Sequence, residues 1–491
     1  MAAAAAVIAS VGGQAAAQPS ATATLRLEPC ALKGVAQEAR CGSIRRALDP
    51  GEPQGRTIDV HLAVLPAVAR NKRPDPIFFL AGGPGQSAID LAGYAQSMLG
   101  RFTNRRDIVL VDQRGTGRSA PLECDKPDPW LPLAQAASDV LAVERRLACA
   151  RELQKKPHGD LRFYTTTIAM HDLDAVRSAL GFARINLVGG SYGTRAAIEY
   201  MRLYPGHVRS AVLDGVAPPD MGLTASFSAD NQAALDAVFE GCSADAACAG
   251  RYPNLRKGWE QLLTSLPKTV TEAHPMTGIP ETFELNRSAV LGAVRRALYT
   301  PALAATLPSA IDAGVQGRHG PLLALAGGSG NVRIAEGMHF SVVCAEDVSP
   351  THHVAADDAV RRGRDFADDF GRFYAKVCEA WPRGQVSDDF KKVGASPAPA
   401  LLLSGGADPA TPARHGERVA TLMGDKATHL VVPHAGHGVM ALACVRDAVY
   451  RFVERADQAD APRPVLPCAG RIPRARPFVP PSAAATAGTA E

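Results

Sequence analysis

The sequence predicts an α/β protein: a mostly parallel, doubly wound sheet interrupted by a large helical insertion. Three observations carry this. Short, wholly apolar runs end in glycine turns, as in IFFLAGGPG (77–85), DIVLVDQRGTG (107–117) and INLVGGSYG (185–193). Such runs suit strands buried on both faces. Helical patterns separate them, which is the alternation of a parallel sheet. The rhythm then stops after about Asp220 and returns at ALLLSGGADPATP (400–412).

In chain order, TLRLEPC (24–30) and TIDVHLAVLPA (57–67) read as early strands, the second with period-two alternation. The runs at 77 and 107 follow. Ile168, Leu173, Val176 and Leu180 mark an amphipathic helix ended by Gly181. INLVGG is the next strand, and a helix over 193–204 stops at Pro205. RSAVLDGV (209–216) is a further strand. From 220 to 385 the chain is helical in character, with turns at Tyr252-Pro253-Asn254 and along Thr271–Pro280. HLVVPHAGHG (429–438) restores the strand pattern. The expected units are a leader (1–17), a sheet domain in two parts (25–222 and 386–470), a helical cap (223–385) and a disordered tail (471–491) rich in Pro and Ala.

Composition excludes several classes. Charged residues make up 21% and the formal net charge of +4 is spread along the chain. No dense basic run is interleaved with aromatics, so no nucleic-acid partner is expected. No run reaches the ~18 apolar residues of a spanning helix, so no membrane span is expected. Residues 1–17, MAAAAAVIASVGGQAAA, are uncharged, rich in small residues and end in Ala-Ala-Ala, as a signal peptide does, although they lack a basic start. Ten cysteines and no Cys-x-x-Cys point to disulfides rather than to a zinc or thioredoxin-like site. They fall into sequence-neighbouring pairs: Cys30–Cys41, Cys124–Cys149, Cys242–Cys248, Cys344–Cys378 and Cys444–Cys468. An exported protein, periplasmic or secreted, is the simplest account. No metal or other cofactor is expected: His352-His353 are adjacent and diverge on any regular element, and no His-Glu-x-x-His occurs.

The chemistry centres on Gly189-Gly190-Ser191-Tyr192-Gly193, a Gly-x-Ser-x-Gly between a buried strand and a helix. That is the setting of a nucleophile elbow, in which a strained turn lifts the serine Oγ clear of the sheet. Asp408 follows one apolar strand and His437 follows the next, giving the chain order Ser, acid, His. Ser191 is the candidate nucleophile, His437 the general base and Asp408 the residue that orients it. His434 is the competing base, but Gly436 and Gly438 flank His437 and give it a tight loop. Asp425 and Asp388 are weaker acids because neither follows an apolar strand. The N–H groups of Gly83, in Ala81-Gly82-Gly83-Pro84-Gly85, and of Tyr192 are the candidate oxyanion-hole donors. Neither this segment nor Gly115-Thr116-Gly117-Arg118-Ser119 ends as a phosphate-binding loop does. Asp112 and Arg114 read as braces of the loop after their strand.

AGGPGQSA, DQRGTGRS, GGSYGT, GGADPATP and GHG, in this order and spacing, resemble the proline iminopeptidase and tripeptidyl aminopeptidase group of α/β-hydrolases. The likeness is closer to the secreted tripeptidyl-aminopeptidase-like branch and spans roughly residues 30–468. Ala81 stands where that group usually has His. The resemblance implies an aminopeptidase that works from a free peptide N-terminus beneath a helical cap. The cap then needs an anion for the substrate ammonium, and Glu346 and Asp347 are the candidates, with Glu336 as an alternative. An esterase or amide hydrolase with the same three residues is the competing expectation.

Overall fold

The computed structural model describes residues 25–125, 128–326, 333–348, 364–367, 369–458 and 463–481. The leader at 1–17, His352-His353 and residues 482–491 lie outside the described residues. The strands are β1 (Glu28–Cys30), β2 (Ala39–Ala47), β3 (Thr57–Leu65), β4 (Ile77–Leu80), β5 (Ile108–Val111), β6 (Ile185–Gly190), β7 (Val208–Asp214), β8 (Lys268–Ala273), β9 (Pro280–Leu285), β10 (Ala400–Gly405) and β11 (Ala427–Val432). Nine of them form one sheet in the order β1-β2-β3-β5-β4-β6-β7-β10-β11. The first four in that order pair antiparallel, and every later pair is parallel.

The apolar runs are explained by a sheet covered on both faces. In β4, Phe78 and Leu80 enter one core with Val109, Val111 and Leu187, while Ile77 and Phe79 enter another with Ile108, Leu110 and Val188. Successive side chains of a strand point to opposite faces, so both must be apolar when both faces are packed. β2 does not announce itself because its sequence, ARCGSIRRA, is half-exposed beside the short strand β1 and carries three arginines.

The cap has its own core, built around Trp259, Leu262, Val290, Val294, Leu307 and Ile311. Within it, Thr271–Pro280 is not simply a turn between helices. β8 and β9 pair antiparallel from Lys268↔Leu285 to Ala273↔Pro280, with Val270 and Phe283 facing the cap core. The later helices, Glu336–Glu346 and Asp369–Ala380, belong instead to the main body. Met338, Phe340, Val343, Tyr374 and Val377 share a core with β4 and β6, so the independent cap ends well before 385. The disordered tail expected from 471 is also corrected, for 471–481. Ile472 packs on the sheet's core, Arg474 donates to Ala237 O at 3.2 Å and Phe478 N to Ala305 O at 2.8 Å. A Pro-rich segment without periodicity can be ordered by what it lies on.

Five disulfides join Cys30–Cys41, Cys124–Cys149, Cys242–Cys248, Cys344–Cys378 and Cys444–Cys468. Among the described residues no helix is long and apolar enough to cross a membrane. Each of the three longer loops, with separations of 24, 25 and 34 residues, restricts the unfolded chain by roughly 3–4 kcal/mol in the chain-entropy account. Mass spectrometry of the unreduced protein is expected to find these five linked peptide pairs. Any substantial fraction of free thiol would contradict the pairing.

Candidate active site

Ser191 sits between β6 and the helix Tyr192–Leu203 with φ 54° and ψ −122°. A non-glycine residue there is strained, and the surroundings must hold it. Three contacts do so. Ser191 N donates to Asp214 O at 2.8 Å. A Cβ on Gly193 would lie 2.2 Å from the Leu80 carbonyl oxygen, and one on Gly189 would lie 2.4 Å from that of Gly193. Only glycine permits these approaches. The strand, the turn and the helix therefore lock against β4.

Asp408 and His437 lie on the loops after β10 and β11. Asp408 Oδ2 is 2.8 Å from His437 Nδ1, and its carboxylate accepts Thr411 Oγ1 at 2.8 Å and the N–H groups of Ala410 and Thr411 at 2.8 and 2.9 Å. Burial pushes the Asp408 carboxyl up, but His437 and these donors outweigh it and hold it below the ordinary range. Burial likewise lowers His437, and Asp408 overrides it so that the imidazole is raised above 6.5. His437 N donates to Tyr299 O at 3.2 Å, and the Tyr299 ring meets the imidazole edge-on at 5.3 Å. A Cβ on Gly215 would lie 3.3 Å from His437 Cε1. Ser191 and His437 therefore flank the Asp214–Gly215 step.

Asp214 was not singled out from the sequence. It ends β7, and its carboxylate accepts Val439 N and Met440 N at 2.9 Å, shaping the loop that carries His437. Burial raises it to about 6. An aspartate at the end of an apolar strand was the available signal, since functional groups gather at strand C-termini. The alternatives lie elsewhere. His434 lines a cavity of about 110 Å³ beside Arg474 and Pro477, while Asp388 and Asp425 are exposed in short turns.

The Gly82–Gly85 segment abuts the nucleophile: a Cβ on Gly82 would lie 3.2 Å from Ser191 Cβ. Gly83 and Gly85 have φ of 109° and 108°. Gln86 Oε1 accepts Gly82 N at 3.0 Å, Ala335 N donates to Gly85 O at 2.9 Å, and His339 Nδ1 lies 3.1 Å from Pro84 O. Beneath it, Asp112 accepts Ser87 Oγ at 2.6 Å and Ile89 N at 3.0 Å. Arg114 grips Asp172 through Nε and Nη2 at 2.7 and 3.0 Å. Both brace loops.

Glu346 and Asp347 do not face an open site. They are 1% and 2% exposed. Asp347 holds Arg195 at 3.0 Å, and Glu346 lies 3.5 Å from the same guanidinium while accepting Thr166 N and Oγ1 at 2.7 and 2.9 Å. Thr166 Oγ1 in turn meets Tyr192 OH at 2.7 Å. Arg195 also donates to Met221 O at 2.9 Å, so the node ties the nucleophile helix to the entry of the cap. Burial pushes Glu346 up to about 7, with Arg195 opposing it. The ammonium role is therefore corrected for this pair: a carboxylate enclosed with its own arginine presents no face to a ligand. Glu336 is paired with Arg146 at 2.9 Å. The Cys-Ala-Glu-Asp sequence contains nothing that distinguishes a buried partner of arginine from a ligand-facing acid.

A nine-stranded sheet with a serine on a strained turn after β6, and an acid–histidine pair on the loops after β10 and β11, defines an α/β-hydrolase of the serine type. Residues 75–245 match the alpha/beta hydrolase fold family and residues 365–463 the TAP-like protein family. The serine protease Hip1 of Mycobacterium tuberculosis (strain ATCC 25618 / H37Rv) is 26% identical over 452 residues, covering 84% of this chain and 85% of the relative. The tripeptidyl aminopeptidase of Streptomyces coelicolor (strain ATCC BAA-471 / A3(2) / M145) is 30% identical over 225 residues, 42% of this chain and 41% of the relative. Carboxylesterase B of M. tuberculosis (strain CDC 1551 / Oshkosh) is 29% identical over 421 residues, 79% of this chain and 78% of the relative. The chain is thus an α/β-hydrolase in fold, and its 365–463 stretch is similar to the TAP-like family.

The elbow yields a direct test. In Gly193→Ala the new methyl would meet a backbone carbonyl that cannot step aside, so a loss of about 2 kcal/mol or more is expected in urea denaturation. Labelling of Ser191 by a fluorophosphonate should fall with it. An unchanged midpoint and unchanged labelling would refute the close approach.

Proposed function

We propose that this is an exported serine peptidase that releases residues from the free N-terminus of peptides through an acyl-enzyme on Ser191. The observation that carries the reading is the Ser191, Asp408 and His437 arrangement on a chain whose relatives include a tripeptidyl aminopeptidase and a serine protease. Ser191 Oγ attacks the scissile carbonyl while His437 takes its proton. The N–H groups of Gly83 and Tyr192 hold the developing oxyanion, each worth about 3–4 kcal/mol in the transition state. His437 then protonates the leaving amine, and water repeats the sequence to free the acid. Asp408 fixes the imidazole tautomer and stabilises the imidazolium. Five disulfides and the leader-like residues 1–17 support export.

The second reading, an esterase or amide hydrolase, is favoured by one observation. The acids Glu346 and Asp347 are occupied by Arg195, so neither offers its carboxylate to an ammonium. Matched mono-, di- and tripeptidyl amides with free and acetylated N-termini separate the two. Strong dependence on the free amine is the expected result. Equal turnover of both forms would move the protein to the second reading.

The charge relation between Asp408 and His437 sets a pH profile. The imidazole must be neutral to act as base, and Asp408 raises it above 6.5, so the acid limb of kcat/KM should lie above that value. In Asp408→Asn burial is left to dominate, and the limb should move below 6.5 while kcat falls about 10⁴-fold. A limb that stays in place would show that Asp408 does not set the imidazole.

A further inference from the structure

We propose that Arg295 makes this a hydrolase for anionic substrates, binding a substrate carboxylate at the rim of the catalytic site. The proposal deepens the acyl-enzyme reading and rests on it.

Arg295 lies in the last turn of the cap helix Arg287–Leu298. Four residues on, Tyr299 holds His437 through its carbonyl and its ring. The Arg295 guanidinium carbon stands 4.8 Å from the centre of the Phe370 ring. Phe370 packs on Phe227 at 4.9 Å and on Tyr374 at 4.7 Å. Tyr374 OH meets His339 Nε2 at 2.7 Å, and the other nitrogen of His339 meets Pro84 O at 3.1 Å in the oxyanion segment. A chain of aromatic contacts therefore joins Arg295 to the segment of Pro84, while Tyr299 joins it to His437.

The rings of Phe227, Phe370, Tyr374 and His339 supply no counter-charge. Among the described residues Arg295 forms no ion pair, whereas Arg114, Arg146, Arg195 and Arg256 each hold a carboxylate. His339 is neutral: burial lowers it to about 4, and Arg295 and Arg146 add to the shift. The same Arg295 charge reaches Tyr299 and Tyr374, both in contact with the site's working parts. Asp347 acts on His339 and Tyr374, and Asp408 on Tyr299, but each is already matched, by Arg195 and His437.

A purely structural role would require only the contacts with Phe370 and with the Tyr299 side chain. The tyrosine hydroxyl takes one of the five N–H donors of a guanidinium, and the others suffice for the paired hydrogen bonds that a carboxylate forms. Arg295 is half-buried, so an anion reaching it is partly desolvated and its interaction with the cation strengthened. An ammonium at the same place would be repelled. The class of substrate that completes this site is one bearing a carboxylate, such as an acidic residue beside the cleaved bond.

Paired peptides with Glu or Gln at each position on either side of the bond, read by mass spectrometry, test this. Wild type, Arg295→Met and Arg295→Lys are compared, normalised by fluorophosphonate titration. At one position Glu should exceed Gln by about tenfold or more in kcat/KM. The ratio should fall close to one in Arg295→Met and be partly kept in Arg295→Lys. Because it is a ratio within one protein, loss of folded enzyme does not move it. A ratio near one at every position in wild type, or a preference that survives Arg295→Met, would overturn the proposal. If wild type is labelled but cleaves no peptide, the peptidase reading fails, and 4-nitrophenyl monosuccinate against 4-nitrophenyl butyrate decides Arg295 alone. Preference for the succinate that depends on Arg295 would uphold it, and equal turnover would overturn it.

Discussion

The structure depends on how closely the helix Tyr192–Leu203 can approach β4. The Leu80 carbonyl oxygen occupies the space where a side chain at 193 would be. This contact fixes the height of the helix above the sheet and thereby the turn that precedes it. The positive φ of Ser191 follows, because no relaxed conformation joins a strand to a helix held so near. The Gly82–Gly85 segment lies on the other side of the same junction, with Gly82 against Ser191. A single steric limit thus sets the relation between Ser191 and this segment, and the Asp408–His437 pair is brought to it by β10 and β11 from the far edge of the sheet.

Charge is used differently at two depths. At the site, Asp408 and His437 move each other's proton affinity in the directions that catalysis wants. Behind it, Arg195, Glu346 and Asp347 form a node in which one cation meets two carboxylates and the carbonyls of Pro218 and Met221 in the loop that enters the cap. Burial of two acids beside one base leaves Glu346 close to neutral pH in its proton affinity. Removing one member of such a group uncovers the others, so the node holds the nucleophile helix and the cap in one register more by what its loss would cost than by net attraction.

Much of this could be read from the amino acids because the chemistry is local. Gly189, Ser191 and Gly193 fall within five residues, and Asp408 and His437 each follow an apolar strand. Cysteine pairing was legible for the same reason, since neighbours in sequence were neighbours in space. What could not be read depends on long-range packing. Glu346 and Asp347 looked like ligand-facing acids because Arg195, 151 residues before Glu346 in sequence, is invisible from Cys-Ala-Glu-Asp. β2 has too few apolar residues to reveal a strand, and β8–β9 resembled a turn between helices. The order of 471–481 comes from the sheet core and the cap surface on which it rests, which no local pattern records.

The Cys344–Cys378 bond brings the end of the helix Glu336–Glu346 to the helix Asp369–Ala380, with Cα atoms 5.1 Å apart. Every residue from 345 to 377 lies within the ring that this bond closes. The chain can therefore be interrupted once anywhere in that stretch without becoming two molecules. Covalent continuity between the cap and the loops bearing Asp408 and His437 runs through sulfur as well as through peptide bonds. A nicked protein would migrate as one species until a reductant is added, and only then would Ser191 and His437 part company on different fragments.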